Sequence, residues 1–482
     1  MNKLYKRLMA MFAVLMMGLG TLLAQVTKDD YLNSYLTIES LTDNDTIKLH
    51  IPAELTSEQM SWLAYSTDGT NWTTYEIDGT LHKDSLVLNQ GEKVYFKGLG
   101  KQCDTVINNH WYYICIQGKA DHIAYGNIMS LLYGDDFASQ TAFPEGSTYA
   151  FGYLFNGNKH LVSVENLMLP ATTLAYGCYF GLFAHCPSII SPVPELPAAE
   201  LEERCYMFMF YNCTALPEAP ALPATTLALS CYDYMFGNCS SLTEAPALPA
   251  TVLAELCYAC MFFECSSLRS APELPATTLA PECYTFMFYH CTALTEAPEL
   301  PATTMVFKCY KGMFDGCTSL TRTPVLTAPV LAFECYAGMF ELCSNLQEVT
   351  CLATDISATD CVKWWLEGVA SSGNFYKAPE MNDWLLNSDS GIPEGWTVAN
   401  YNGVEEQQDQ VVVYPNPVVD QLHITGEDIQ SVKVYDMQGR LVHSKECGHV
   451  DQVEVDFQGF AKGVYTVSIQ TKGRDVTKSV VY

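Results

Sequence analysis

Basic side chains are scarce in this chain. Its 482 residues hold 25 Lys plus Arg against 54 Asp plus Glu, a formal net charge of −29. Such a surface repels phosphate backbones and anionic bilayers, which argues against nucleic acid as a partner. The acid is spread and not gathered in a tail: between residues 170 and 350, 17 acidic residues stand against 5 basic ones. Long apolar runs are also missing. After residue 24 no stretch approaches the ~20 apolar residues of a spanning helix, so no transmembrane span is expected in the mature chain. GxSxG, HExxH, P-loop and strand-following GxGxxG motifs are all absent, and no pair of carboxylates stands out from the repeated glutamates. No catalytic residue, cofactor or metal site is therefore expected, and the chain does not read as an enzyme.

At the N-terminus, Lys3, Lys6 and Arg7 precede an uncharged apolar run from Leu8 to Leu23 and then Ala24-Gln25. This is the layout of a secretory signal peptide over residues 1–24. No cysteine follows the run, which argues against a lipoprotein anchor. Export makes the twenty cysteines of the chain eligible for disulfides.

A repeat organises the middle of the chain. Cysteine pairs eight residues apart occur at Cys178/Cys186, Cys205/Cys213, Cys231/Cys239, Cys257/Cys265, Cys283/Cys291, Cys309/Cys317 and Cys335/Cys343. Their first members are spaced by 27 once and by 26 five times. Residues 150–174 keep the pattern without cysteines, and Cys361 follows Cys335 by 26 without a second member, as the atypical ends of a capped array would.

Within one unit, Leu227, Cys231 and Met235 lie four apart, which predicts a short helix from about Leu227 to Phe236, preceded by Pro223 and the Thr225-Thr226 cap. Ser241-Leu242-Thr243-Glu244-Ala245 reads as a short strand ended by Pro246. The string MFxxC(T/S)xL, as in Met235 to Leu242, resembles the repeat of BspA-like leucine-rich repeat surface proteins of the Bacteroidetes. That resemblance covers roughly residues 150–400. It implies a surface-exposed protein, some relatives of which adhere to host matrix proteins or other bacteria. The fold expected is an α/β leucine-rich-repeat solenoid, one short strand and one short helix per 26-residue repeat, flanked by N-terminal and C-terminal all-β sandwich domains. The array spans 146–350, and residues 351–400, with Trp364-Trp365 and GIPEGWTV, resemble the closing module of that family.

If helices of adjacent units lie ~10 Å apart, the first cysteines cannot bridge, because disulfide Cα atoms approach within ~7 Å. The second cysteines are seven in number, so neighbour pairing leaves one out. Buried thiol ladders and bridges inside each unit both remain open. Cys103/Cys115 and Cys351/Cys361 are better isolated candidates for disulfides. Cys257-Tyr258-Ala259-Cys260 is a single CxxC, one of whose cysteines already belongs to the ladder, which is weak grounds for a metal.

Residues 25–145 alternate apolar and polar in short runs, as at Thr46 to Ile51, and read as a β-sandwich. Tyr65 to Trp72 resembles the Asp-box hairpin of sialidases but is one residue short and occurs once, so an ordinary Asp-Gly hairpin is the better reading. After a linker at 401–410, residues 411–482 carry Val413-Tyr414-Pro415-Asn416-Pro417, Val432 to Arg440 and Gly463 to Val467. In that order they resemble the C-terminal sorting domain of the type IX secretion system. The resemblance implies export across the outer membrane, with the secretion machinery as partner through residues 411–482.

Ligand contact is expected where residues vary inside the fixed frame. Phe180, Phe208, Tyr234 and Phe286 stand between the recurring Tyr and Met, and Tyr211, Phe263 and Tyr289 follow further on. If these side chains face outward they form an aromatic ladder, a common contact anchor. Thr243-Glu244 and Thr295-Glu296 mark a second candidate row. The function expected is a non-enzymatic, adhesin-like scaffold for an extracellular protein or glycan. A spacer or surface-layer component, and more distantly a glycan-active enzyme, are the alternatives.

Overall fold

Every fourth residue sets the backbone of the array. Around Cys205, the residues Arg204, Phe208 and Asn212 have φ of 54°, 58° and 60°. The same three places are left-handed in the following units, as at Ser230, Tyr234 and Asn238, or Glu282, Phe286 and His290. An α-helix cannot absorb such a residue at every fourth position. In this computed structural model the chain instead makes successive turns. Met209, Tyr211 and Cys213 donate their amides back three residues to Tyr206, Phe208 and Phe210. The alternate amides of Tyr206, Phe208, Phe210 and Asn212 donate along the stack to carbonyls of Cys231, Asp233, Met235 and Gly237, at 2.7–3.0 Å. Each coil is thereby hydrogen-bonded to the next.

The expected α/β solenoid with a helix per repeat is therefore not formed. Among the described residues the α-helices are Lys28–Leu32 and Ser130–Tyr133, both before the array. The predicted helix over Leu227 to Phe236 is part of the turn ribbon. The helix-like spacing has another physical origin. Inward residues come as Cys205-Tyr206, Met209-Phe210 and Cys213, a period of four. A helix turning 100° per residue would carry the last of these about 80° off the face of the first. The predicted strand at Ser241 to Ala245 is reduced to a bridge from Glu244 to Ser270. Continuous parallel pairing appears where the proline-rich segment gives way to Val, Thr, Phe and Tyr: Arg322–Leu326, Glu348–Cys351, Asn374–Lys377 and Thr397–Asn400 form a four-stranded parallel sheet. This is a β-solenoid. Pro324 sits in the edge strand, where a missing donor is tolerated.

The structure describes residues 27–50, 63–74, 85–99, 106–107, 110–111, 114–190, 192–387, 389–401, 411–414, 418, 421–436, 440–471 and 475–482. The predicted signal peptide and Cys103 lie outside them.

Residues up to Asn400 form one compact unit. Strands Leu36–Ser40, Lys93–Gly98 and His122–Asn127 pair antiparallel. His122–Asn127 then pairs in parallel with Leu161–Ser163 and Leu167–Met168 of the first coil. The apolar core consequently runs without a break from Leu36 to Trp396, and the N-terminal strands close one end of the stack. A buried polar clamp fixes this join: Asn158 of the first coil lies 2.9 Å from His122 Nε2, and His122 Nδ1 lies 3.4 Å from Asp45 Oδ2. At the other end Trp365 stacks on Trp384 at 5.3 Å and donates Nε1 to the Gly391 carbonyl.

Residues 401–482 form the second unit. Five strands among its described residues make one antiparallel sheet dominated by the long hairpin Gln421–Tyr435 and Leu441–Asp456, over a core that includes Leu422, Ile424, Val434, Val455, Phe457 and Val467.

Candidate binding face

Two columns of rings fill the interior. Tyr179, Tyr206, Tyr232, Tyr258, Tyr284 and Tyr310 stack with centroids 5.6–5.8 Å apart. Phe155, Phe183, Phe210, Phe236, Phe262, Phe288, Phe314 and Phe340 stack at 5.4–5.8 Å. These spacings overturn the expected ~10 Å between units, because neighbouring coils are joined by backbone hydrogen bonds and not by helix packing.

Cysteines form the frame beside the rings. The second-position thiols of Cys186, Cys213, Cys239, Cys265, Cys291, Cys317 and Cys343 each donate to the phenylalanine carbonyl one coil earlier, from Phe155 to Phe314, at 3.0–3.1 Å. The first-position residues Cys178, Cys205, Cys231, Cys257, Cys283, Cys309 and Cys335 are fully buried. All of these stand as free thiols, as do Cys115, Cys351 and Cys361. Cys361 Sγ donates to the Ile356 carbonyl at 3.2 Å. Burial pushes the thiols of Cys213, Cys231 and Cys265 up to about 12, which suppresses the nucleophilic thiolate. Cys260 occupies a left-handed outer position while Cys257 lies in the inner column. Among the described residues no three His, Cys, Asp or Glu side chains are placed to hold a metal ion.

The outward positions carry the variation. Phe180, Phe208, Tyr211, Tyr234, Phe263, Phe286 and Tyr289 are all half-buried, and the structure brings all seven together. Phe180 meets Phe208 at 5.7 Å, Phe208 meets Tyr234 at 5.1 Å and Tyr211 at 5.5 Å, and Tyr234 meets Phe263 at 5.5 Å. Phe263 stacks on Tyr289 at 4.5 Å, and Phe286 abuts Tyr289 edge-on at 5.7 Å. Phe208, Tyr234 and Phe286 stand at left-handed positions, and the 26-residue register sets Phe208 beside Tyr234 and Phe263 beside Tyr289.

Three further groups complete this face. Tyr149 and Tyr153 extend the ladder onto Phe180 at 5.3 and 5.2 Å, in a unit whose lack of cysteines hides its register. Asp233, beside Tyr234, has a buried Oδ1 without a hydrogen-bond partner, and burial raises its carboxyl to about 7 against the opposing pull of Arg204. Further along, the place held by Tyr211, Phe263 and Tyr289 is taken by Asp315, Glu341 and Glu367. Superposing the units position by position would have found this change from aromatic to acid. The Thr-Glu row is exposed at Thr243, Glu244, Thr295 and Glu296, beside a shallow cleft lined by Arg269, Pro272 and Pro298. In the N-terminal region Asp68 Oδ1 accepts the amides of Thr70 and Asn71, and Lys97 Nζ lies 4.3 Å from the Trp72 ring centre. The string that resembles an Asp-box is thus a self-capped hairpin.

Residues 412–482 match the family of secretion system C-terminal sorting domains. The chain is exported to the cell surface or the extracellular space. The tail addresses the type IX secretion machinery, in agreement with the motifs at Val432 to Arg440 and Gly463 to Val467. No curated protein matches the chain. Among the described residues no helix is long and apolar enough to cross a membrane.

Proposed function

We propose that the exported stack is a non-enzymatic binding scaffold, adhesin-like, whose outer face contacts an extracellular protein. The observation that carries this reading is the division within each coil. The inner positions repeat Cys-Tyr, Met-Phe, Cys and Leu through six of the seven cysteine-marked units, whereas the outer positions change along the stack, as Tyr211, Gly237, Phe263, Tyr289, Asp315 and Glu341 do at one place, and the aromatic ones still form one connected surface. A solenoid used only as a spacer has no need of a contiguous outer aromatic ladder, since a solvated polar face would serve. The resemblance of the MFxxC(T/S)xL string to BspA-like surface proteins supports the same reading.

Ring geometry favours protein over glycan. Sugars stack on aromatic faces, but Tyr289 has Phe263 at 4.5 Å on one side and His290 stacked at 4.3 Å, so its faces are already occupied. The test is a matrix-protein and glycan array probed with the full mature chain and with a Phe208→Ser/Phe263→Ser/Tyr289→Ser variant. Retention of every wild-type partner by the variant would return the repeats to the role of spacer. A variant that loses glycans and keeps proteins would reverse the ligand class.

A further inference from the structure

Two glycines open the outer ladder near its C-terminal end. The middle left-handed position is Phe286 in one coil, then Gly312 and Gly338, then Trp364. Phe286 leans over Gly312, since a β-carbon there would fall 2.1 Å from its ring. Gly338 is left with only Glu341 Oε2 and the Gly312 Cα near the place a β-carbon would take, at 3.2 and 3.9 Å. The result is a notch floored by glycine backbone; Trp364, at the same place one coil on, and Leu342, next to Glu341 in the chain, are 45% and 48% exposed.

Asp315, Glu341 and Glu367 form a column beside it, each donating its amide to the middle left-handed residue of its own coil, Gly312, Gly338 and Trp364. Their backbone carbonyls accept the amides of His290, Gly316 and Leu342, each at 2.7 Å, which fixes them one coil apart. Asp315 is only 8% exposed, and its Oδ1 is buried with no hydrogen-bond partner. The groups that act on it and on its neighbours are acidic or weakly polar: Glu341 on Asp315, Glu367 on Glu341, and Tyr289 with Glu264 alongside. Nearby cations are engaged elsewhere. Lys311 pairs with Glu334, and Lys363 lies 3.8 Å from Asp360 and 4.6 Å from the Trp364 ring centre. Asp233, at the other end of the face, has Arg204 acting on it. His290 is the basic group of the chain beside Asp315, its amide donating to the Asp315 carbonyl and its ring stacked on Tyr289; a buried carboxylate that faces a second carboxylate and accepts no hydrogen bond is satisfied by a proton or by a donor brought from outside. The three acids run along the stack and do not converge on one point, an arrangement suited to an elongated organic cation.

We propose that the Asp315, Glu341 and Glu367 column, with Trp364 and Leu342 as its apolar rim, receives a lysine or arginine side chain of a protein partner. This rests on the binding-scaffold reading and names the chemistry of the ligand. Charge assistance then comes from the column and specificity from the rim.

Calorimetric titration of the full mature chain with hexalysine peptide tests it. Asp315→Asn/Glu341→Gln should weaken binding at least tenfold, whereas Glu273→Gln/Glu299→Gln, the same charge change at exposed sites, should leave it within twofold. Binding at pH 6.5 should also release protons into the buffer from wild type and not from Asp315→Asn, because the incoming cation displaces the Asp315 proton. Equal weakening in both double variants would assign the binding to bulk charge and overturn the proposal, as would absence of proton release. So would calcium ion displacing hexalysine from wild type but not from the Asp315→Asn/Glu341→Gln variant, since the column would then be a metal site. Because this titration needs no array partner, its failure leaves the scaffold reading standing, and failure of the array with success here leaves only the partner undetermined.

Discussion

The inner and outer columns of each coil share one backbone and one four-residue step, yet they answer to different constraints. Inside, Tyr206, Tyr232 and Tyr258 or Phe210, Phe236 and Phe262 meet copies of themselves at one spacing, so a change in any unit is felt by the two beside it. Outside, Tyr211, Gly237, Phe263, Tyr289, Asp315 and Glu341 succeed one another at a single place with no change in backbone hydrogen bonding. The repeat has separated holding the fold from presenting chemistry, and both roles occur within eight residues.

The comparison breaks most sharply with paired truncations. Phe262→Ala should lose about 3–5 kcal/mol in a denaturant melt, because it removes the middle of a stacked, fully buried column. Phe263→Ala, one residue later and half-buried, should lose about 1 kcal/mol while removing partner binding on the array. Equal losses would mean that the outer ladder is core.

A pH series sharpens it next. Burial, then the nearby Glu341, raises the Asp315 carboxyl to about 7, against 3.8 for the free group. The folded state therefore holds that proton more tightly than the unfolded chain. Its contribution to stability is complete below pH ~4 and is lost as pH rises through 7. Asp315→Asn should flatten the melt between pH 4 and 7 and stabilise the chain above pH 7 by on the order of 1 kcal/mol, partial solvent screening included. A wild-type melting temperature that rises across that window would contradict this.

Tyr258→Phe should change stability by less than about 1 kcal/mol, and in the favourable direction. The Tyr258 hydroxyl is buried without a partner, and its removal relieves an unmet hydrogen bond. The smallest effect is chemical. Iodoacetamide on native protein should label Cys447, which is half-buried, and leave the inner cysteines untouched until denaturant is added. Labelling of Cys239 or Cys265 under native conditions would show that the coils open locally.

Much of this was legible in the chain. The 26-residue register, the inward Cys, Tyr, Met, Phe and Leu, the seven aromatics and the sorting tail all follow from spacing and from motifs. What misled was the period. Residues at i, i+4 and i+8 suit a helix and a four-residue turn almost equally over eight residues, and only the signs of φ separate them. Gly181, Gly312 and Gly338 at the middle left-handed place were the available hint, but Phe208, Tyr234 and Phe286 occupy it in other units and concealed it. The acidic column was missed because each of its members, taken singly, is an ordinary surface acid.

The sequence by itself determined the repeat, which residues face the same way, and the address to which the chain is sent, because each is written in local spacing or in a contiguous motif. Only the tertiary structure decided that the coils are joined amide to carbonyl, that the thiols serve as donors to the preceding coil, and that Asp315 is enclosed beside Glu341. Those depend on what lies one coil, or 26 residues, away, a neighbour that linear order does not bring into contact.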